Sequence, residues 1–313
     1  MSQHPGEPRR TPHLAPRVTP RRAESPHWLS FDVEEYFQVE AAARCVPPSQ
    51  WGAVAKRLPP AIDRVLSLLA ECHARATFFV LGWVARHEAD VVRRIAEAGH
   101  EIASHGADHR MIGRVPPHQF RRDLLDSRAI LEDLSADRVI GYRAATFSIT
   151  HRTAWALDVL AETGFRYDSS IFPVHHDRYG VPDAPPGVHR AIGPGGGSVL
   201  EIPPLTWRFL GTNVPMAGGG YFRLFPLALL ARALRAAERQ RRRGMIYLHP
   251  WELDPDQPVL PMGFAGTFRH RVGLKRTESK FRRLMSRFRF CDVRSTIDYL
   301  EQTTRQSYPY GRR

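Results

Sequence analysis

The sequence predicts a single parallel α/β domain of barrel type, followed by a basic helical extension. Three observations predict it. Strand-like and helix-like segments alternate from residue 27 onward, no break in composition marks an internal linker, and no internal repeat is present. The 313 residues, 42% hydrophobic and 25% charged, are enough for one large core.

The first strand is expected at His27–Val33 (HWLSFDV), followed by a long polar connection and a helix near Pro60–Glu71. Ala76–Leu81 (ATFFVL) is an apolar run short enough for a buried strand. Ala85–Ala98 reads as a helix ended by Gly99, since glycine suits the left-handed position after a helix. Glu101–Ser104 is a short strand. Pro116–Leu134 follows with helical spacing at Phe120, Leu124, Leu125, Ile130 and Leu131.

Val139–Tyr142 is read as a strand, Thr153–Thr163 as a helix closed by Gly164, and Phe165–Ser169 as a strand. Residues 174–197, rich in Gly and Pro, read as loop, and Val199–Ile202 resumes the strand pattern. A helix at Pro226–Arg243 ends on Gly244 and leads into the strand Met245–Leu248. The Pro-containing segment 254–273 then precedes a basic helix around Leu274–Phe288. The expected organisation is a disordered Pro/Arg-rich tail at 1–26 and a barrel at 27–298. The barrel includes its extension from about 250, and a polar tail fills 299–313.

Net charge is +13, and nearly all the excess is arginine. Residues 221–244 hold seven arginines against Glu238, and residues 264–313 hold thirteen basic residues against four acidic ones. Such clusters attract phosphate, anionic lipid headgroups or acidic polymers, or simply form solvated helix faces. No run reaches the eighteen apolar residues of a membrane span, and the first 26 residues have no apolar signal core. The expected location is therefore cytoplasmic, peripheral to the inner membrane face. Cys45, Cys72 and Cys291 are too few and too scattered for a disulfide framework.

In parallel α/β folds, reactive residues gather at the C-terminal ends of strands. Here the first strand ends in Asp32-Val33-Glu34-Glu35, and the third in Ser104-His105-Gly106-Ala107-Asp108-His109. The strands at Val139, Phe165 and Met245 end in Arg143, Asp168 and His249. One rim thus collects an ionisable residue from each. A His-x-x-x-His pair alone is weak evidence, because 15 histidines supply about 0.7 such pairs by chance. Its place after a strand, with Gly106 to turn the chain, makes two imidazoles and a carboxylate a candidate divalent-metal site with open positions.

The segments SFDVEEYF, ATFFVLGW, EAGHEIASHGADH, GYRAATFSI, FRYDSSIFP and YLHPWELDP resemble the successive motifs of polysaccharide deacetylases. Those enzymes carry the NodB homology domain and form carbohydrate esterase family 4. GGGYFRLFP and the stretch from PWELDPDQP to RHRVGLKRTESKFRRLMSRFRF resemble the extension of the subgroup found with exopolysaccharide and exosortase loci. The resemblance runs from about His27 to Asp298 and implies a distorted (β/α) barrel.

It also implies Asp32 as catalytic base, His105 and His109 as metal ligands, Arg143 as the residue orienting the base, and His249 as general acid. Two positions depart from the family pattern. Val33 stands where a second aspartate usually binds the metal, and Ala145 where a proline usually follows the arginine. Side chains alternate along a strand, so Glu34 points to the same side as Asp32 and is expected as third ligand, ahead of Glu35.

The implied reaction is removal of N-acetyl groups from N-acetylhexosamine units of a polysaccharide or lipid-linked glycan in exopolysaccharide biosynthesis. Zinc is the expected ion, with Co2+, Ni2+ or Mn2+ chemically compatible. Asp168 is expected beside His249 to keep it protonated. Backbone N–H groups of 142–146 or 169–172 are expected at the oxyanion, and Tyr142, Phe147 and Tyr221 against the sugar. The basic C-terminal region would meet a membrane face or lipid-linked glycan, and no nucleic acid is expected. The alternatives are hydrolysis of a small amide or cyclic ureide on the same fold, and non-catalytic binding of an anionic polymer.

Overall fold

The computed structural model describes residues 25–176 and 178–311, so the 1–26 tail of the sequence reading lies almost wholly outside the described residues. The chain begins with β1 (His27–Val33), α1 (Leu58–Glu71), β2 (Thr77–Val80), α2 (Gly82–His87), α3 (Ala89–Glu97) and β3 (Glu101–Ser104). Next come α4 (Pro117–Ser135), β4 (Gly141–Tyr142), α5 (Trp155–Glu162), β5 (Tyr167–Asp168), β6 (His189–Ile192) and β7 (Ser198–Glu201). A hairpin of β8 (Thr206–Phe209) and β9 (Thr212–Pro215) leads to α6 (Gly219–Leu224), α7 (Leu227–Arg239) and β10 (Met245–Leu248). The last part holds α8 (Gly263–Arg271), α9 (Leu274–Met285), β11 (Phe290–Cys291), α10 (Ile297–Thr303) and β12 (Ser307–Pro309).

The sheet runs β10-β1-β2-β3-β4-β5-β7-β6-β12, and every pairing on that path is parallel except β6 with β7. Between β7 and β10 the sheet is nearly joined, by a parallel bridge from Pro204 to Met245. The result is the mostly parallel α/β architecture expected of a distorted barrel. Strands β1 to β3 are buried on both faces, which is why they read as near-continuous apolar runs. Leu29, Phe31, Phe78, Val80 and Ile102 pack there against helices α1, α3 and α4.

Some expectations change. The helix expected over 85–98 is two helices, broken at Glu88, whose φ of −136° is not helical and whose carboxylate is paired with Lys56. The loop read at 174–197 contains β6, and the Pro-containing 254–273 contains α8. The polar tail at 299–313 is corrected as well. Residues 299–303 complete α10, and Ser307–Pro309 add a strand to β6. Tyr310 explains this: its ring is fully buried and its hydroxyl lies 2.7 Å from His189 Nε2.

Parallel pairing brings the ends of β1, β3, β4 and β10 to one rim. Asp32 follows Phe31, which is level with Leu248, so Asp32 stands beside His249. Ser104 is level with Tyr142, which brings His105 beside Arg143.

Candidate active site

Arg143 is the hub of the site. Its side chain is fully buried, which demands a complete set of acceptors for a group that is always charged. Nη1 donates to Asp32 Oδ1 (2.6 Å) and Ser30 Oγ (2.9 Å), Nη2 to Ser169 Oγ (2.9 Å), and Nε to Ser169 O (3.2 Å). The guanidinium also lies 4.0 Å from the centre of the Phe79 ring. Asp32 is thereby fixed by one oxygen, while Oδ2 faces His249 Nε2 at 3.9 Å.

The carbonyl of the same arginine accepts from His105 Nδ1 at 2.8 Å. That bond sets the His105 tautomer and leaves Nε2 as a lone-pair donor toward the site. Burial lowers the His105 pKa to about 4, so the imidazole is neutral, as a metal ligand must be. The chain turns at Gly106 (φ 79°) and again at His109, whose φ of 56° is uncommon for a residue with a side chain. The turn returns His109 Nε2 to 2.9 Å from Glu34 Oε2.

Glu34, His105 and His109 offer ligand atoms that all lie within 4.8 Å of one another. Glu34 is almost completely buried, and its Oε2 has no partner of hydrogen-bond geometry despite its closeness to His109. Burial works to raise the Glu34 pKa, but His109, His249 and His105 together hold it down at about 2. A buried carboxylate whose oxygens converge with two imidazole nitrogens fits a divalent cation. Glu35 does not compete. Its carboxylate accepts from the backbone N–H groups of Arg57 and Leu58 at the start of α1, where it caps the helix. Burial pushes its pKa up to about 7.

His249 stands opposite, its Nε2 3.5 Å from Glu34 Oε1. Its ring stacks on Trp251, with centres 5.1 Å apart. Asp168 is not its partner, contrary to the sequence reading. Asp168 is wholly buried and bonded to the hydroxyl and backbone N–H of Ser170, facing Glu201. The carboxylate that serves His249 is Glu252, whose Oε1 accepts from Nδ1 at 2.7 Å and from the His249 backbone N–H at 3.0 Å.

Burial alone would lower the His249 pKa; Glu252, Glu34 and Asp32 outweigh it and raise it to about 9. Glu252 is itself completely buried and held by Arg223 Nε at 2.7 Å. Arg223 donates in turn to the carbonyls of Arg269, His270 and Val272. The end of α8 and the residue after it therefore hold the arginine that holds the partner of His249.

Glu252 and Arg223 were missed in the sequence, although His-Pro-Trp-Glu has the spacing of a helix-start box with an acid at its third position. Two of the expected sugar contacts are also corrected. Tyr142 is buried between Phe120 and Phe165, and Phe147 among Phe172, Tyr179 and Tyr247. Both are core residues. Tyr221 is half-buried on α6, whose first residue rests against the ring of Tyr247, two residues before His249. His249 and His109 are the most open members of the site, at 16% and 7% side-chain exposure.

Residues 53–167 match the model of the polysaccharide deacetylase family. Over those residues the chain carries a polysaccharide deacetylase domain. Residues 169–298 match a second family, described as a domain of unknown function, DUF3473, which covers the extension and begins well upstream of it. A peptidoglycan deacetylase of Helicobacter pylori is 30% identical over 116 residues, covering 37% of this chain and 38% of that protein. A chitooligosaccharide deacetylase of Bradyrhizobium is 27% identical over 128 residues, or 41% of this chain and 55% of that one. The chain thus spans about half or less of the length of these curated relatives.

A crystal structure described as a putative polysaccharide deacetylase from Mycobacterium smegmatis aligns over 94% of this chain and 97% of its own. The TM-score is 0.59 at 19% identity, so that similarity speaks for the fold of the polysaccharide deacetylase domain. Family match and site geometry coincide in part: His105, His109 and Arg143 lie inside the first matched segment and His249 inside the second.

Proposed function

We propose that the protein is a metal-dependent hydrolase that removes N-acetyl groups from N-acetylhexosamine units of a polysaccharide or lipid-linked glycan. The observation that carries the reading is the convergence of Glu34, His105 and His109 within 4.8 Å, beside an Arg143-held aspartate and a histidine of raised pKa. Glu34, His105 and His109 would hold the ion. A divalent cation of the zinc class would supply Lewis-acid polarisation of the acetamide carbonyl and acidify a water molecule.

The chain's own groups do the rest. Asp32, with Oδ1 fixed by Arg143, offers Oδ2 to take the proton of the attacking water. His249, protonated through Glu252, presents Nε2–H to the departing amine from the other side. The backbone N–H groups of Arg143, Ala144, Ser169, Ser170 and Ile171 are already engaged by protein acceptors. Of the two loops expected to serve the oxyanion, Ala145, Thr146 and Phe172 remain. Their N–H groups are the candidate oxyanion donors.

A role in exopolysaccharide biosynthesis at the inner membrane face belongs to the same reading. It is supported by the subgroup resemblance and by α8, where Phe264 and Phe268 stand exposed beside exposed Arg269. Among the described residues no helix is long and apolar enough to cross a membrane. The test is acetate release from N-acetylated oligosaccharides with and without chelator. Release that stops with chelator and returns with zinc is expected. No release from any glycan by protein of confirmed metal content would shift the substrate to a small amide.

A further inference from the structure

The catalytic rim uses one end of the barrel; the other end holds a second polar site. Arg241, Arg242 and Arg243 leave α7 in succession and reach β10 through Gly244. Together with Trp28, Tyr299 and Gln306 they line a depression of about 1090 Å³. We propose that this depression binds a phosphate-class anion, built on Arg241, Arg242 and Arg243.

The three arginines form a graded wall. Arg243 is half-buried at the floor, its guanidinium 5.4 Å from the centre of the Trp28 ring, which pre-sets its orientation. Its Nη1 is buried without any hydrogen-bond partner. Arg242 is anchored across the depression, with Nη1 donating to Pro186 O and Nε to Gln240 Oε1. Arg241 is exposed at the rim, near Tyr299, which is 61% exposed. No described acidic side chain pairs with any of the three.

The one carboxylate in the lining, Glu238, accepts from His27 Nε2 at 3.1 Å. The lining therefore carries three fixed positive charges against one negative charge that is already engaged.

A helix C-terminus favours cations, and that accounts for Arg239 in the last turn of α7. It does not account for the other three. Arg241 occupies the left-handed position after the helix at φ 56°, where glycine or asparagine is preferred over a long side chain. Arg243 lies beyond the helix, on the approach to β10. A buried guanidinium N–H with no acceptor is unfavourable, and an oxyanion entering beside Arg243 would satisfy it. The guanidinium fork matches two oxygens of a phosphate, and three such groups suit a multivalent anion better than a single carboxylate. Trp28, the second residue of β1, lies four residues before Asp32, about 13 Å along the strand, so this site is separate from the catalytic one.

The ligand's source is either a soluble phosphate compound or a phospholipid headgroup, and two arms separate them. In the first, inorganic pyrophosphate is titrated into the full chain by calorimetry at low salt. In the second, the chain is sedimented with phosphatidylglycerol vesicles and with phosphatidylcholine vesicles. Saturable binding of pyrophosphate, weakened at least tenfold in Arg241→Gln/Arg243→Gln, is expected. Acetate release should be unchanged in that variant. Phosphatidylglycerol binding that pyrophosphate competes away, and that the variant loses, assigns the headgroup; pyrophosphate binding alone assigns the soluble compound. Absence of binding in both arms, or binding that the variant retains at full strength, would overturn the proposal.

Discussion

The paired strands β1 and β10 place one histidine at each end of the barrel, and the two are in opposite protonation states. His249 follows β10 at the C-terminal rim and is raised to about 9; His27 opens β1 at the other end and is lowered to about 4. Both are largely buried, so burial does not separate them. Their neighbours do. His249 faces three carboxylates, those of Glu252, Glu34 and Asp32. His27 is lowered first by burial and then by the charge of Arg243, and its Nδ1 must stay unprotonated to accept from the Gly244 N–H. One end holds a proton and the other excludes one.

The comparison breaks most visibly at Asp32 and His249. Asp32→Asn or His249→Ala is expected to lower kcat by about 10²–10⁴-fold with a much smaller change in KM, measured by acetate release. An Asp32→Asn protein of full rate would remove Asp32 from the proton path.

Next in size is the support of His249. Arg223→Met leaves the buried Glu252 charge with His249 as its remaining partner and should cost about 3 kcal/mol in urea denaturation. Adding Glu252→Gln should recover part of that loss, and a double variant less stable than Arg223→Met would contradict the pairing.

At the other end the effect is smaller and depends on pH. The unfolded chain binds a proton at His27 near pH 6.5, whereas the folded chain does so only near 4. The stability that the neutral ring contributes is therefore present above 6.5 and is lost as pH falls toward 4. His27→Gln should flatten the stability–pH curve in that window by up to about 1.4 kcal/mol per pH unit. The smallest effect is assigned to Asp168→Asn. Because Asp168 faces Ser170 and Glu201, kcat and its alkaline limb should stay within about threefold of the parent. A shifted limb would restore Asp168 as the partner of His249.

The rim was legible in the sequence where chemistry coincides with strand ends. Asp32, Glu34, His105 and His249 each follow an apolar run, and parallel pairing carries such positions to one place. The support behind them was not legible in the same way. Glu252 meets His249 through a local turn, but Arg223 reaches it from a helix 29 residues earlier, and only the carbonyls at the end of α8 fix it there. Asp168 was misplaced because a strand end gives a rim position but not the direction of a hydrogen bond. Tyr142 and Phe147 were read as sugar contacts because aromatic residues beside a motif look alike whether they face solvent or core. The hairpin β8–β9 and strand β6 escaped because short strands among Gly and Pro carry little periodicity.

The assignment of Glu34 to the place usually held by an aspartate is the central claim, and it separates two carboxylates only two residues apart. Metal content after dialysis against zinc, measured in Asp32→Asn and Glu34→Gln side by side, tests it most directly. The account predicts about one ion per chain in Asp32→Asn and a loss of most of it in Glu34→Gln. Full metal content in Glu34→Gln, with the ion lost instead from Asp32→Asn, would contradict it.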